Sequence, residues 1–423
     1  MPHSITVLAM IMVLVIQSVR LQAQYTGSAS VSQGRARTTV QNLYSCPKGR
    51  VTSLGVVTAN DGTTWMMPAA VRFTDPTVPA SSDLHNLCTG VVYSTSAQAV
   101  AALVPSKIVT IDEDGELVTC FIFADNYFEM AINGVLIGKD NVPYTQFNSS
   151  LLQFRVKRPF TIAIHAVDWE ENLGLGTEQS GSPYHAGDGG LVAVFQNERG
   201  EILATTNGDW RAQTFYTSPI YDLTCPAEQG QLRKSERCAT TDVIDGSNAY
   251  ALHWPLPSDW MSKDLDDSQW PNASEFANQT VGVDNKPAYT NFTDVFDNPA
   301  ADAKFIWSNN IILDNEVVLR FQVAGVTSVD DVRANSSLHL MAQPGLLNIQ
   351  TSATEAWVDV SLMGLDGTTF CSSSGSQRVT TPTSMLSDGI YVVHARTEVQ
   401  SAGWLVLLQE GECRAVINRG GND

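Results

Sequence analysis

The feature that most constrains the fold is a hairpin signal at residues 123–138. It centres on Asn133 and Gly134, a dipeptide that tolerates positive φ at both positions and therefore closes a tight turn between two strands. Ahead of the turn, two sets of residues alternate with the period of a strand that has one buried face: Phe128, Met130 and Ile132 on one face, and Tyr127, Glu129 and Ala131 on the other. This pattern predicts an antiparallel pair inside a β-sandwich.

The same kind of pattern continues through residues 106–325, which we predict to form one large β-domain. Turn signals separate short runs of strand-like residues, and no comparable helical period crosses the region, which favours a sandwich. The predicted strands are residues 118–123, residues 160–167, a hairpin of 191–195 with 201–205, and one or two strands within 311–323.

Two further units flank this domain. Residues 24–105 are predicted to be an N-terminal β-rich segment with one short helix at 97–104, capped by Ser96. Residues 330–423 are predicted to be a small C-terminal β-domain. The predicted fold class is therefore mostly β, a central sandwich followed by a smaller one.

The first 23 residues have the features of a secretory signal peptide. Residues 5–16 are almost entirely apolar, too few to span a bilayer, and Ala23 offers a cleavage site. A retained membrane anchor is the alternative, because no Lys or Arg precedes the apolar run. No later stretch reaches transmembrane length, so the mature chain is predicted to be secreted and to have no transmembrane segment.

The net charge of −19 constrains the partners. So acidic a chain repels nucleic acid and attracts cations, which suggests calcium as a cofactor, although the alternative is that the charge serves solubility alone. Asp112, Asp114 and Glu116 surround a glycine and could supply several calcium oxygens, although a solvated turn is the alternative.

Seven cysteines in an exported chain predict disulfides. Proximity in the sequence favours three pairs, although spacing alone does not prove them: Cys46 with Cys88, Cys225 with Cys238, and Cys371 with Cys413. Cys120 would then be a buried free thiol or pair with another chain.

Five glycosylation sequons predict surface loops if the source is eukaryotic: Asn148, Asn272, Asn278, Asn291 and Asn335.

The central region resembles the galactose-binding-like jelly-roll domains, which are non-catalytic modules beside many glycoside hydrolases. The segments that carry this resemblance, in the family's order, are residues 125–134, 160–166, 189–193, 206–210 and 260–270. The resemblance implies a jelly-roll fold and carbohydrate binding.

The C-terminal region, at residues 346–351, 358–364 and 386–393, is similar to the small sorting domains of bacterial secreted proteins.

Candidate ligand-binding residues follow the predicted strands. Asp168 and Glu170 come directly after residues 160–167, and carboxylates there could accept hydrogen bonds from sugar hydroxyls, ligate calcium, or form a solvated loop. A glycoside hydrolase would need a carboxylate pair across the scissile bond, and the sequence identifies no catalytic partner for either. His185 and Asp188 could share a metal. Trp169, Trp210 and Trp254 lie beside loop-like residues and are predicted to form a binding rim, because indole rings stack on sugars.

These observations on the sequence predict three alternative functions. The first is a secreted, non-catalytic, lectin-like protein that binds glycans or matrix polymers at the cell surface or in the extracellular matrix. The second is an acidic structural protein of a wall, sheath or biomineral that binds calcium or mineral. The third is a glycan-active hydrolase whose carboxylates meet only in the fold.

Overall fold

The structure, a computed structural model, is mostly β, with 47% of residues in strands and 6% in helices. The chain divides into two compact units, residues 1–323 and 324–423. The predicted signal peptide and Asn335 lie outside the described residues. The structure describes residues 25–47, 49–144, 147–179, 183–240, 248–325, 338–343, 345–351, 357–365, 367–376, 378–397, 401–410 and 412–418.

One layer of the first unit is a seven-stranded sheet in which all neighbouring strands are antiparallel. In spatial order its strands are β1 (Ser30–Gln33), β18 (Tyr250–His253), β15 (Arg211–Ile220), β21 (Asp314–Val323), β12 (Phe160–Val167), β9 (Tyr127–Ile132) and β10 (Val135–Lys139).

The second layer is a nine-stranded sheet. In spatial order it contains β19 (Ser274–Phe276), β20 (Phe305–Trp307), β13 (Gly190–Asn197), β8 (Glu116–Asp125), β11 (Ser149–Val156), β5 (Ser82–Asn86) and β6 (Val91–Val92), with β14 (Ile202–Thr205) beside β13 and β7 (Val109–Thr110) beside β11. Ile162 and Leu319 of the first sheet share one apolar core with Phe121 and Val192 of the second. The two sheets therefore form the two-layer sandwich that the sequence predicts.

Smaller elements complete the first unit. They are a three-stranded sheet of β2 (Arg37–Val40), β3 (Leu54–Thr58) and β4 (Thr64–Met67), a hairpin of β16 (Ala227–Gln229) and β17 (Leu232–Lys234), a 3₁₀ turn (Pro105–Lys107), and the helices α1 (Ser96–Ala101), α2 (Asn278–Val281), α3 (Pro287–Thr290) and α4 (Thr293–Phe296). None of the helices in the described ranges combines the length and the apolar character needed to cross a bilayer.

The predicted hairpin is confirmed, with one difference in burial. Asn133 and Gly134 both have positive φ, 50° and 87°, and β9 pairs with β10 across them. The sequence predicts that one face of β9 is buried, whereas every residue of the strand is buried. The second face is covered because Arg72, from the N-terminal part of the chain, donates hydrogen bonds to Glu129 from both its backbone N–H and its guanidinium.

The N-terminal segment is part of the sandwich. β1 pairs with β18 at one end of the seven-stranded sheet, and β5 and β6 continue the nine-stranded sheet beyond β11. These pairings cover strand edges that would otherwise expose backbone hydrogen-bonding groups. The structure thus differs from the sequence prediction, which sets residues 24–105 apart. The predicted helix there begins at Ser96, is capped by Thr95 and ends at Ala101.

The second unit contains two sheets around its own apolar core, which includes Leu347, Val360, Val393 and Trp404. One sheet has the order β22 (Leu338–Gln343), β23 (Leu346–Thr351) and β26 (Arg378–Pro382); the other has the order β25 (Thr369–Ser376), β24 (Trp357–Gly364), β27 (Gly389–Arg396), β28 (Ser401–Gln409) and β29 (Glu412–Asn418).

Two of the three predicted disulfides are confirmed, Cys46–Cys88 and Cys225–Cys238. Cys120 is a buried free thiol on β8. The prediction of a Cys371–Cys413 disulfide is wrong, because Cys371 is a free thiol. The reason lies in the sheet order: Cys371 is on β25 and Cys413 on β29, which are the two opposite edge strands of the five-stranded sheet.

We expect the Cys46–Cys88 disulfide to contribute more stability than Cys225–Cys238. The sequence separations are 42 and 13 residues, and loop-closure entropy then predicts losses of about 4 and about 3 kcal/mol when each bridge is removed by Cys→Ser substitution of both partners. Denaturant unfolding of the two double variants measures both losses. A larger loss for the Cys225–Cys238 variant would contradict the prediction.

Candidate functional site

Carboxylates from both sheets meet at one end of the sandwich. Asp125 is the last residue of β8, and Asp168 directly follows β12. Asp188 lies two residues before Gly190, which is the register partner of Asp125 across β8 and β13. The backbone N–H of Asn126 donates to the carbonyl of Val167, so that the ends of β8 and β12 are held together.

Asp168 is the central member of this group. Its residue surface is only 7% exposed, yet no described residue hydrogen-bonds to its carboxylate. A Cβ placed on Gly187 would lie 3.4 Å from Asp168 Oδ2 and 3.8 Å from the carboxyl carbon of Glu178. The two carboxyl groups thus lie close to the same point beside Gly187, where the absence of a side chain leaves them uncovered. We call Asp125, Asp168, Glu178 and Asp188, together with Gly187, the acidic site.

The charges of the acidic site are only partly compensated. Glu178 forms an ion pair with Arg50, whose guanidinium also donates to the hydroxyl of Tyr144, and His185 Nε2 lies 3.5 Å from Glu178 Oε1. Asp125 accepts one hydrogen bond, from its neighbour Asn126. Among the described residues, Asp125, Asp168 and Asp188 form no ion pair.

Burial and mutual repulsion raise the pKa values of these carboxyls. Burial is the largest cause for Asp125 and Asp168, whose pKa values lie well above the usual range, and the neighbouring carboxylates add to it while Arg50 opposes it. The pKa of Asp188 is raised to about 6, by burial first and then by the charge of Glu178. Strongly perturbed carboxyls without a structural partner are typical of functional sites. Since Asp188 and Gly187 are half-buried, the site reaches the surface there.

Glu170 is close to this group but its carboxylate has partners of its own. Its two oxygens each lie 3.1 Å from the hydroxyl of Tyr216, which donates to them, and Oε1 also accepts from the backbone N–H of Gly174. Burial raises the pKa of Glu170 to about 8, against these hydrogen bonds. Its position indicates that it holds the loop after β12, and it leaves Asp168 as the predicted carboxylate that is free to meet a ligand.

The predicted rim of tryptophans is wrong. Trp169, Trp210 and Trp254 are buried, and each indole N–H donates to a protein oxygen: Ser53 O at 3.1 Å, Thr205 O at 2.8 Å and Glu228 Oε1 at 2.7 Å, respectively. Their ring faces are also covered, since Trp210 stacks on Phe321 and the guanidinium of Arg233 lies over Trp254. These side chains stabilise the core beneath the loops.

The proposed calcium ligands already have partners. Asp114 pairs with Lys157 Nζ at 2.6 Å, Glu116 pairs with Arg158 Nε at 2.6 Å, and Asp112 accepts from the backbone N–H of Lys157 at 2.8 Å. Within the described ranges, no group of three or more His, Cys, Asp or Glu residues is arranged to hold a metal ion. A calcium ion at Asp112, Asp114 and Glu116 would have to displace the lysine and the arginine, and calcium binding there stays a prediction.

The sequons differ in accessibility. Asn148 is buried and its Nδ2 donates to Asp140 Oδ1 at 2.7 Å, so the prediction that it lies in a surface loop is wrong. Asn272 is exposed, whereas Asn278 and Asn291 are half-buried. Glycosylation of these three stays a prediction.

Sequence reasoning missed Arg50, Tyr144 and Glu178, and it took Asp125 as a strand residue only. The one available signal was the position of Asp125 at a strand end, comparable to that of Asp168. His185 and Asp188, considered as a metal pair, are brought to the site together, with the imidazole next to Glu178.

Fold and site together define a mostly-β sandwich with a partly compensated group of buried carboxylates at one end. No protein-family model matches the chain, and no curated protein matches it. A search of solved structures finds the apo form of a lectin from Pleurotus ostreatus, with 11% sequence identity and a TM-score of 0.17, covering 74% of this chain and 82% of the lectin. A TM-score this low does not establish a shared fold.

Proposed function

We propose that this chain is a secreted, non-catalytic, lectin-like protein of the cell surface or extracellular matrix, and that the acidic site binds the hydroxyl groups of a glycan. The observation that carries the proposal is the largely buried carboxyl of Asp168, which accepts no hydrogen bond from the described residues and is not fully enclosed, so that a ligand can reach it. The two disulfides of the first unit are compatible with an extracellular location.

A glycan supplies what the acidic site lacks. The pKa of Asp168 is raised, so its carboxyl keeps its proton when no donor is present, whereas hydrogen bonds from hydroxyls to its ionised form are among the stronger ones in proteins. Sugar hydroxyls are neutral donors that come in adjacent pairs, so they can satisfy Asp168 and Asp188 without adding negative charge. Because Trp169, Trp210 and Trp254 are buried, recognition at this site rests on hydrogen bonds rather than on ring stacking.

The test begins with a broad glycan array of the full mature chain, followed by calorimetric titration of the best glycan. Asp168→Asn keeps the shape of the side chain but removes the carboxyl that can ionise when glycan hydroxyls donate to it, and we expect at least about a 10-fold loss of affinity. Glu198→Gln removes one carboxylate from an exposed hairpin and should bind like the wild type. The absence of any glycan binding, or full affinity in Asp168→Asn, would overturn the proposal.

Glycan hydrolysis is a second candidate, favoured by the raised pKa values. A carboxyl that keeps its proton near neutral pH can act as a general acid, and Asp168 lies beside Asp188, with its pKa of about 6. Release of new reducing ends from the bound glycan, lost in Asp168→Asn, would establish this function in place of the non-catalytic one.

A further inference from the structure

A cavity lies at the opposite end of β12 from the acidic site. It has a volume of about 360 Å³. Thr161 at the start of the strand lines it, whereas Asp168 follows the end of the strand. At about 3.3 Å per strand residue the two places are roughly 20 Å apart. The cavity is lined by Thr161, Asp209, Arg211, Lys263, Leu265, Asp267, Arg320, Phe321 and Gln322.

The lining of this cavity carries more positive than negative charge, in a chain whose net charge is −19. Arg320 is buried and fully engaged: Nε pairs with Asp267 at 2.6 Å, and its other two nitrogens donate to the carbonyls of Trp260 and Ser262. Arg211 and Lys263 also line this cavity, and Asp209 is the one further carboxylate among its described lining residues.

Neither of these cations has a carboxylate partner among the described residues. Nη1 of Arg211 donates to the carbonyl of Trp270 at 3.1 Å and to Asn272 Oδ1 at 2.5 Å, which positions the guanidinium and leaves Nε and Nη2 without a described acceptor. Lys263 is exposed and makes no hydrogen bond to a described residue. A guanidinium with free donors beside an ammonium group is suited to bind a carboxylate or sulfate.

The cavity also presents apolar and neutral polar surface. Leu265, which is half-buried, supplies the apolar part of the lining and can pack against the C–H face of a sugar. The ring of Phe321 lies on the opposite face of β21 from Arg320 and Gln322 and stacks on Trp210 in the core, with ring centroids 5.3 Å apart and planes inclined by 17°. Thr161 and Gln322 add neutral groups that can bond to hydroxyls.

We propose that this cavity is a binding site for an acidic saccharide residue, a sugar ring that carries a carboxylate or a sulfate. Arg211 and Lys263 bind the anionic group, Leu265 packs against the ring, and Thr161 and Gln322 bind its hydroxyls. An adjoining cavity of about 260 Å³ shares Asp209, so a saccharide longer than one residue can continue there. This site is separate from the acidic site and does not depend on the proposed function of Asp168.

The test compares matched ligands on the full mature chain, produced without N-glycans because Asn272 contacts Arg211. A disaccharide ending in glucuronic acid, the same disaccharide ending in sulfated glucose, and the neutral disaccharide ending in glucose are titrated by calorimetry. We expect one or both acidic ligands to bind at least about 10-fold more tightly than the neutral one and to weaken as salt increases. Comparing the affinities of the glucuronic acid ligand and the sulfated ligand shows whether the cavity prefers a carboxylate or a sulfate.

Lys263→Ala and Arg211→Lys should each weaken the acidic ligand at least about fivefold, whereas Arg199→Ala, which removes a cation from an exposed hairpin, should not. Lys263 is exposed, so its removal tests binding without disturbing the core. Glu198→Gln, which removes a carboxylate from an exposed hairpin, should also bind the acidic ligand like the wild type. Because Arg211 and Lys263 line this cavity and are not part of the acidic site, their variants separate failure here from failure of the acidic site. Equal affinity for charged and neutral ligands, or wild-type affinity in both cavity variants, would overturn the proposal.

Discussion

Substituting phenylalanine for His165 should destabilise the first unit by about 3–5 kcal/mol, the range found when one partner of a buried ion pair is removed. His165 is fully buried on β12, where Nε2 lies 2.8 Å from Glu316 Oε1 and Nδ1 lies 3.9 Å from Glu129 Oε2. Glu129 would keep its ion pair with Arg72, but Glu316 would be left as a buried charge without a described cation. Chemical denaturation of wild type and variant measures the loss.

A matched double variant identifies the cause. His165→Phe combined with Glu316→Leu removes both charges, and we expect it to recover most of the stability that the single variant loses. If the double variant were as unstable as His165→Phe alone, the loss would come from packing rather than from an uncompensated charge.

The ion pair between His165 and Glu316 should also make the free energy of unfolding fall at alkaline pH. Burial lowers the pKa of His165, but the hydrogen bond to Glu316 and the attraction to Glu129 and Glu316 outweigh it and raise the pKa to about 9, above the ordinary 6.5 of an unfolded chain. The stabilisation is therefore complete below pH 6.5 and is lost as pH rises through about 9. The free energy of unfolding of the wild type should fall over this window, whereas that of His165→Phe should not show this decrease.

The second large effect is a gain in stability at the expense of binding. Asp168→Asn should raise the free energy of unfolding at neutral pH by about 0.5–2 kcal/mol, because it removes a buried, repelled carboxyl from the folded state. The same substitution should reduce glycan affinity as described above. Thermal unfolding without ligand measures the gain, and Glu198→Gln should show none.

The size of this gain in the free energy of unfolding should depend on pH. The pKa of Asp168 is raised in the folded state, so the folded carboxyl keeps its proton where the unfolded one, with a pKa of 3.8, has lost it. The cost of this difference is absent below pH 3.8 and grows as pH increases above it. The advantage of Asp168→Asn should follow the same course. A gain that did not change with pH would point to a cause other than ionisation.

Local patterns in the sequence predicted much of the sandwich. β12 has the predicted bounds, and the turn at Asn133 and Gly134 closes β9 and β10 as expected. Both signals arise from alternation or turn geometry over a few residues, which requires no knowledge of the distant chain. The prediction placed residues 24–105 apart because nothing local shows that β1 will pair with β18.

The candidate site was predicted only in part, for the same reason. Asp168 was recognised because a carboxylate directly after a strand is a local feature. Arg50 reaches Glu178 from an irregular segment of the chain, and no sequence pattern indicates that contact. The exposure of Trp254 was wrongly predicted because its neighbours resemble a loop, whereas Arg233 and Glu228, from the hairpin of β16 and β17, cover it in the fold.

The pairing of β1 with β18 has a consequence for how the molecule assembles. Ser30 is made early in synthesis, but its partner His253 emerges from the ribosome much later, so this edge of the seven-stranded sheet cannot form cotranslationally until most of the first unit exists. Contacts between such distant residues slow folding, because the intervening chain must first be ordered. The growing chain therefore exposes unpaired strands for a long time, and its folding yield depends on how well they are shielded until the last strands arrive.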